Sequence, residues 1–517
     1  MKYAVTAAEM KSYDTDTIER IGLSSDVLME RAALSVAEEL NKSGIRMNKV
    51  LVVAGCGNNG GDGIAIGRML LLQGRKVDIY LAGAREKCTA ETEHQLEILE
   101  NLGFSTLNKI QDTEYDMIVD ALFGIGLSRD VTGSYKELVE DINERRKRGA
   151  FVCAVDIASG ICADTGKVMG VAVKADITVT FAFAKRGQLF YPGKEYTGKL
   201  VVKDIGITDK SFVQKKPGAY YYEQEDLLEY LPKRRKDGNK GSFGKVLVVA
   251  GSEGMSGACL LCSKTVFRMG AGMVKVITPE CNKYLLQQML PEAMLYTYAE
   301  EPEDNQVRNA VKWADVVVIG PGLSMNRDAR LLMKYVLKSE LKPLVVDADG
   351  LNLLAEDDTL RELAIKRGKE RSYPMVFTPH PGELVRLCKT DMEAYKKKRI
   401  QLLKLAAETF DGIIAGKDAV TVTVDPKEET MIINNSGTDG MATAGSGDVL
   451  AGVIAGLLAK GMEGIQATSL GVYIHGLAGE AAAGEWGRSG MLAGDIADAL
   501  GYVLKCCEDK RKEDICL

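Results

Sequence analysis

Short apolar runs alternate along this chain with longer stretches in which apolar positions return every three or four residues. The runs KVLVVAG (49–55), KVDIYLA (76–82), MIVDALF (117–123), FVCAVDI (151–157) and ITVTFAF (177–183) read as strands, and the stretches between them as helices. Strands alternating with helices predict a parallel sheet with helices on its faces. Around 208–245 the alternation lapses into a polar stretch with a basic knot at 233–236, which reads as a linker. KVLVVAG then returns unchanged at 245–251, again before a glycine-rich loop and a helix. DVVVIGPGLS (315–324), PLVVDADGLNLL (343–354), MVFTPHPGELVRL (375–387) and GMATAGSGDVLAGVIAGLLAKG (440–461) continue the alternation. Because the two halves diverge after the shared heptapeptide, the pattern predicts two different doubly wound α/β domains.

Composition changes this picture little. A chain of 517 residues, 46% hydrophobic and 27% charged, has the make-up of an ordinary globular protein and length enough for two substantial cores. A net charge of -6 supplies no basic field for a phosphate backbone, so nucleic acid is not an expected partner. VLAGVIAGLLA (449–459) is too short to cross a bilayer, and MKYAVTAAEMKSYDTD has no apolar h-region, so no membrane partner and a cytoplasmic location are expected. The eleven cysteines, odd in number and scattered through apolar segments, read as reduced thiols. Cys259 and Cys262 form a C-x-x-C without a second pair at zinc spacing, and the tail KCCEDKRKEDICL reads as a frayed helix with exposed thiols.

In open α/β sheets ligands sit beyond the carboxyl ends of the strands, which directs attention to the residues just after each run. The first such stretch, GCGNNGGDG (55–63), fits the dinucleotide spacing G-x-G-x-x-G. A plain dinucleotide loop wants an acid at the end of the next strand, however, and Asp78 lies inside KVDIYLA. His94, in a polar helical stretch, reads as a surface residue. Gly57, Gly60 and Gly61 are expected to bring amides against a pyrophosphate at the start of a helix near Asp62. Asn59, Asp120, Asp156 and Ser159 add amide, carboxylate and hydroxyl oxygens on one sheet edge, a donor set suited to a hard cation.

The set LMERAA (28–33), GCGNNGGDGIAIGRML, VDALFGIGLSRDVTG, VDIASGICADTG and FAFAKRGQLFYPGKEYTG resembles the NAD(P)H-hydrate epimerase domain over residues 1–210. That resemblance implies a Rossmann-like αβα domain at 1–212, with potassium bound by Asn59, Asp120 and Ser159. It also implies that Asn58, Asn59, Gly60, Gly61 and Asp62, with Gly124, Ile125, Gly126, Leu127, Ser128, Arg129, Asp130 and Asp156, contact the hydrated dinucleotide. Asp156 would be the acid or base at C6 of the nicotinamide ring, with Lys185 as a helper.

In the second half ThrAlaGlySerGlyAsp (443–448) opens a helix rich in small residues. Amides of Gly445 to Gly447 aimed along a helix axis make a hole for a transferring phosphoryl group, and Asp448 stands where a base could take a hydroxyl proton. Together with KVLVVAGSEGMSGA, GPGLS, TPHPGELVRL and GKDAVTV this resembles the ADP-dependent NAD(P)H-hydrate dehydratase branch of the ribokinase-like superfamily over about residues 225–505. The resemblance implies a linker at 213–240 and a dehydratase domain at 241–505. Ala258, Gly322, His380 and Asp448 would line the hydrate site, and Lys417, Asp418, Ala419, Val420, Thr421 and Gly447 would hold ADP, with magnesium on its phosphates. Glu383 is either a helix-starting acid or an approach to a magnesium–phosphate group.

The expected partners are NADHX, NADPHX and ADP, in a homo-oligomer of four or more subunits. A conventional vitamin or sugar kinase joined to a non-catalytic nucleotide-binding module stands as the rival reading, since fold does not dictate function.

Overall fold

The computed structural model describes residues 1–213, 215–370 and 372–513. The chain divides into two compact units, Lys2–Ala219 and Tyr220–Leu517, the second joined by Met1.

In the N-terminal unit β1 (Lys2–Val5) pairs with β7 (Ala184–Lys185), and a separate parallel sheet carries β2 (Lys49–Ala54), β3 (Lys76–Leu81), β4 (Met117–Ala121), β5 (Phe151–Val155), β6 (Ile177–Phe181) and β8 (Lys199–Lys203). The order in that sheet is β3-β2-β4-β5-β6-β8. Alternation along β2 explains its two covered faces. Val50, Val52 and Ala54 enter one apolar cluster with the helices Ser25–Lys42 and Asn58–Leu72, whereas Leu51 and Val53 enter another with the helix Gly133–Lys147. The chain reverses its direction of winding between β2 and β4, so the loops after these strands flank the crevice.

β9 (Ala219–Tyr221) lies at the boundary. The C-terminal unit then lays down β10 (Lys245–Val249), β11 (Met273–Pro279), β12 (Met294–Tyr298), β13 (Val316–Ile319), β14 (Leu344–Val346), β15 (Met375–Phe377), β16 (Ile413–Gly416), β17 (Val422–Val424) and β18 (Met431–Ile433). Their order is β12-β11-β10-β13-β14-β15-β16-β17-β18, parallel as far as β16 and antiparallel beyond it. This is the doubly wound α/β architecture that the apolar pattern predicts, in both halves.

Two local readings change. The stretch read as linker is partly structured: Tyr222, Leu227 and Leu231 are buried in the C-terminal core, and Tyr222 Oη lies 2.9 Å from Ser469 Oγ. Apolar positions among its charges were enough to anchor it. The tail is helical from Ala493 to Glu513, with Cys507 buried rather than exposed, because its thiol sits on the apolar stripe; Cys516 lies outside the described residues. Cys259 and Cys262 are both buried in the helix Ser256–Arg268. Among the described residues no helix is long and apolar enough to cross a membrane.

Candidate functional site

The helix after β2 begins at Asn58, four residues before the expected start, with Gly57 as its N-cap. Gly60 and Gly61 therefore stand inside the first turn, and both their amides donate to Gly57 O, at 2.7 and 3.3 Å. Those two amides are engaged within the turn. A Cβ on Gly60 would stand 1.8 Å from Gly55 O, so only glycine lets this turn press on the loop that precedes it.

Asp120, inside β4, is fully buried. Its Oδ2 accepts from Ser159 N at 2.8 Å, and its Oδ1 from Ser159 Oγ at 2.6 Å and Leu122 N at 3.3 Å. All of these donors are neutral, and burial pushes the carboxyl up to about 6. The Ser159 hydroxyl also accepts from Phe123 N at 2.9 Å, and the Asn59 side chain packs against Gly124, the next residue along. Asn59 Nδ2 is buried without a hydrogen-bond partner among the described residues. The sheet edge thus gathers the three expected cation ligands.

Asp156 follows β5 with φ at +63°, a left-handed conformation that Asp tolerates better than most residues. Its Oδ1 accepts from Thr180 Oγ1 at 2.9 Å and Phe181 N at 3.2 Å and forms an ion pair with the buried Lys185 ammonium, which also donates to Thr180 Oγ1 at 2.8 Å. Gln188 Nε2 holds the Asp156 carbonyl at 2.7 Å. Asp62 and Asp14 share this electrostatic neighbourhood: burial first, then the charge of Asp156, pushes both carboxyls up, while Lys185 draws them down. One ammonium thus faces three acids, and burial with the Asp156 charge makes Asp14 and Asp62 hold their protons more tightly than lone carboxyls do. Asp14, on the helix Ala7–Asp16, escaped the sequence reading because nothing in its neighbours marks it. The expected substrate loop Gly124–Asp130 lies beside the same edge, exposed at Gly126 and from Ser128 to Asp130.

The C-terminal unit assembles its site at the carboxyl ends of β10 and β13 to β16. Gly322, φ +57°, brings its backbone against Ala258, whose Cβ would lie 2.9 Å from a Cβ at 322. His380 caps the helix Pro381–Leu387: its Nδ1 accepts from Gly382 N at 3.0 Å, and its own N–H donates to Glu383 Oε2 at 2.8 Å. Glu383 is therefore the helix-starting acid. Burial pushes its carboxyl up to about 7.

Gly445, φ +91°, caps the helix Ser446–Ala459 in a conformation that a side chain would strain. Ser446 N donates to Thr443 O at 3.3 Å, so of the three amides expected to form the anion hole one is engaged, and those of Gly445 and Gly447 remain. Gly447 faces Lys417: a Cβ there would lie 3.0 Å from Lys417 Nζ. Lys417 donates at 2.7 Å to Asp347, a residue the sequence reading passed over. Burial opposes the charge on Lys417, but Asp347, Glu383 and Asp448 together hold its pKa above the usual lysine value. Burial, and then Asp347, pushes Asp448 up to about 7.

His475, on the helix Gly464–Trp486, lies 3.4 Å from Ser446 Oγ, and burial lowers it to about 4, so it is neutral. Of the expected nucleotide residues, Asp418 and Ala419 are exposed, and Asp418 accepts from Tyr395 Oη at 2.6 Å. Among the described residues no three His, Cys, Asp or Glu side chains gather as a metal cage.

Two family models match the chain. One described as YjeF-related protein N-terminus covers residues 25–187, and one described as NAD(P)H-hydrate dehydratase covers residues 246–501. The chain is 36% identical to a bifunctional NAD(P)H-hydrate repair enzyme of Moorella thermoacetica, over 98% of each chain. It is 31% identical to that of Escherichia coli, over 96% of this chain and 93% of the other. Among solved structures, an ADP/ATP-dependent NAD(P)H-hydrate dehydratase of Bacillus subtilis, co-crystallised with ATP and Mg2+, is 28% identical. It covers 56% of this chain and 98% of its own, with a TM-score of 0.48.

Proposed function

The chain belongs to the bifunctional NAD(P)H-hydrate repair enzymes, and from that membership we propose how its two sites divide the work. The activities are epimerisation of the R and S forms of hydrated NAD(P)H and ADP-dependent dehydration of the S form. Similarity to repair enzymes through both halves disfavours a vitamin or sugar kinase carrying an idle module.

Epimerisation falls to the N-terminal unit. Asp156, with Lys185 paired to one of its oxygens, supplies or takes the proton as the bond at C6 breaks and re-forms. Asp62 and Asp14 keep a proton close at hand. Asn59, Asp120 and Ser159 would hold potassium. The neutral donor set around a fully buried carboxylate supports that fit, and a cation there would compensate a charge that no cationic side chain among the described residues offsets.

Dehydration falls to the C-terminal unit. Asp448 removes the proton of the 6-hydroxyl as its oxygen attacks the terminal phosphorus of ADP, and the bond to the bridging oxygen breaks to release AMP. Phosphate then leaves with the C6–O bond as the adjacent ring carbon gives up a proton, which restores NAD(P)H. Lys417 and the amides of Gly445 and Gly447 stabilise the charge on the transferring group. The observation that carries this reading is the Lys417 ammonium set against Gly447, one residue before a carboxyl held near neutrality. Magnesium would be held mainly by the nucleotide phosphates, whose charge it neutralises, since Glu383 is engaged as a cap. Ala258, Gly322 and His380 line the hydrate side, and Lys417 to Thr421 the nucleotide side.

The purified chain, given S hydrate and ADP, is expected to restore the absorbance of the reduced nicotinamide with one AMP per turnover. Recovery of a stable phosphorylated vitamin or sugar would instead favour the kinase.

A further inference from the structure

Asp347 follows β14 and is 1% exposed. Its backbone is fixed on both sides: the N–H donates to Ile319 O at 3.2 Å and the carbonyl accepts from Gly350 N at 3.0 Å. Its Oδ1 accepts from Thr378 Oγ1 and from Lys417 Nζ, each at 2.7 Å. Its Oδ2 is buried with no hydrogen-bond partner among the described residues, and a Cβ on Gly447 would lie 3.6 Å from it. A carboxylate with one unpartnered oxygen in a buried site is costly, so a purely structural role would be served better by an amide or a smaller side chain. Thr378 and Lys417 come from two other strand ends, so the placement depends on three separate loops meeting.

We propose that Asp347 is a positioning residue of the dehydration, holding the Lys417 ammonium against the Gly447 turn and setting a fixed negative charge beside the base Asp448. This rests on the dehydratase reading given above. Two consequences follow from the geometry. The lysine that faces the phosphoryl group stays charged despite its burial, because an anion sits directly behind it. The base is also tuned: a negative neighbour makes Asp448 hold its proton more tightly, which brings its strength to the neutral range where a general base is most effective.

The groups that face Asp448 are Asp347 after β14, Asp349 at the start of the next helix, Lys417 after β16, and Cys259 and Cys262 on the helix Ser256–Arg268. Glu383 acts on Lys417, and Lys417 in turn lowers His475. Asp347 and Asp349 raise Asp448, and Lys417 lowers it. Removing the Asp347 charge therefore lowers the pKa of Asp448 and frees Lys417 to lower it further, so both effects run in one direction.

The test uses the full chain carrying Asp347→Asn, Asp347→Ser or Asp347→Glu, with S hydrate and ADP over the pH range 5 to 9. Both neutral variants are expected to lose about tenfold or more in kcat and to move the acidic limb of kcat/KM to lower pH by roughly one unit. Asp347→Glu is expected to leave the limb where the parent has it. Epimerase activity, carried by the other unit, should be unchanged in all three and reports folding of that unit; circular dichroism and ADP binding report on this one. Either neutral variant suffices if the other fails to fold. An unmoved limb in a folded neutral variant, or unchanged kcat with only a lower Tm, overturns the proposal. A parent that shows no ADP-dependent dehydration would count against the dehydratase reading instead.

Discussion

At the scale of single residues, Asp448 shows how function is set against stability. Its pKa rises from 3.8 to about 7 on folding, so between these values the folded chain binds more protons than the unfolded one, and stability falls as pH climbs through that window. Asp448→Asn removes the fall. The variant is expected to match the parent in thermal midpoint near the bottom of the window and to exceed it by a few degrees above about pH 7, in unfolding scans across pH. Its kcat for dehydration should drop ~10²–10⁴-fold while ADP still binds. In the other unit Asp156→Ala is expected to slow consumption of pure R hydrate by a similar ~10²–10⁴-fold, with dehydration of S hydrate intact. An R-hydrate rate equal to the parent's would remove Asp156 from the mechanism. Asp156 and Asp448 stand out in the sequence because each lies in a glycine- or serine-rich bend after an apolar run. Asp347, Asp14 and His475 do not, since their significance comes from partners distant in the chain: Lys417 is 70 residues from Asp347, and the charges acting on Asp14 belong to Asp156 and Lys185.

At the scale of elements, strands were legible, and the helix start at Ser446 with them, but the start after β2 was not. The five runs of the first half end as strands within two residues of their expected limits, because each is a short, mainly apolar run rich in β-branched residues. The helix Asn58–Leu72 starts earlier than its composition suggests: Asn and Gly are poor helix formers, and packing of the turn on Gly55 outweighs that preference. This yields a prediction for the element. In Gly60→Ala the added methyl would meet Gly55 O, a backbone atom that cannot rotate away. The N-terminal unit should lose about 1–3 kcal/mol of stability in denaturant titration, and epimerase activity with it, while dehydration is retained. Full epimerase activity and stability in that variant would show that the turn is looser than described.

At the scale of the whole molecule, each of the three apolar clusters described above is confined to one unit: two lie in the N-terminal unit and one in the C-terminal. Two calorimetric transitions are therefore expected. ADP at about a hundred times its Kd should stabilise only the C-terminal one, by about 2.7 kcal/mol. A single transition that moves as a whole would show that the units unfold together. The sequence by itself determined what is written in neighbouring residues: two doubly wound α/β halves, the glycine-rich bends after their strands, and the acids lying in those bends. Tertiary structure decided which groups share a proton or a charge. Burial and Coulomb interactions act through space, and only the folded sheet edges bring Asp347 to Lys417, or Asp14 and Asp62 to Asp156.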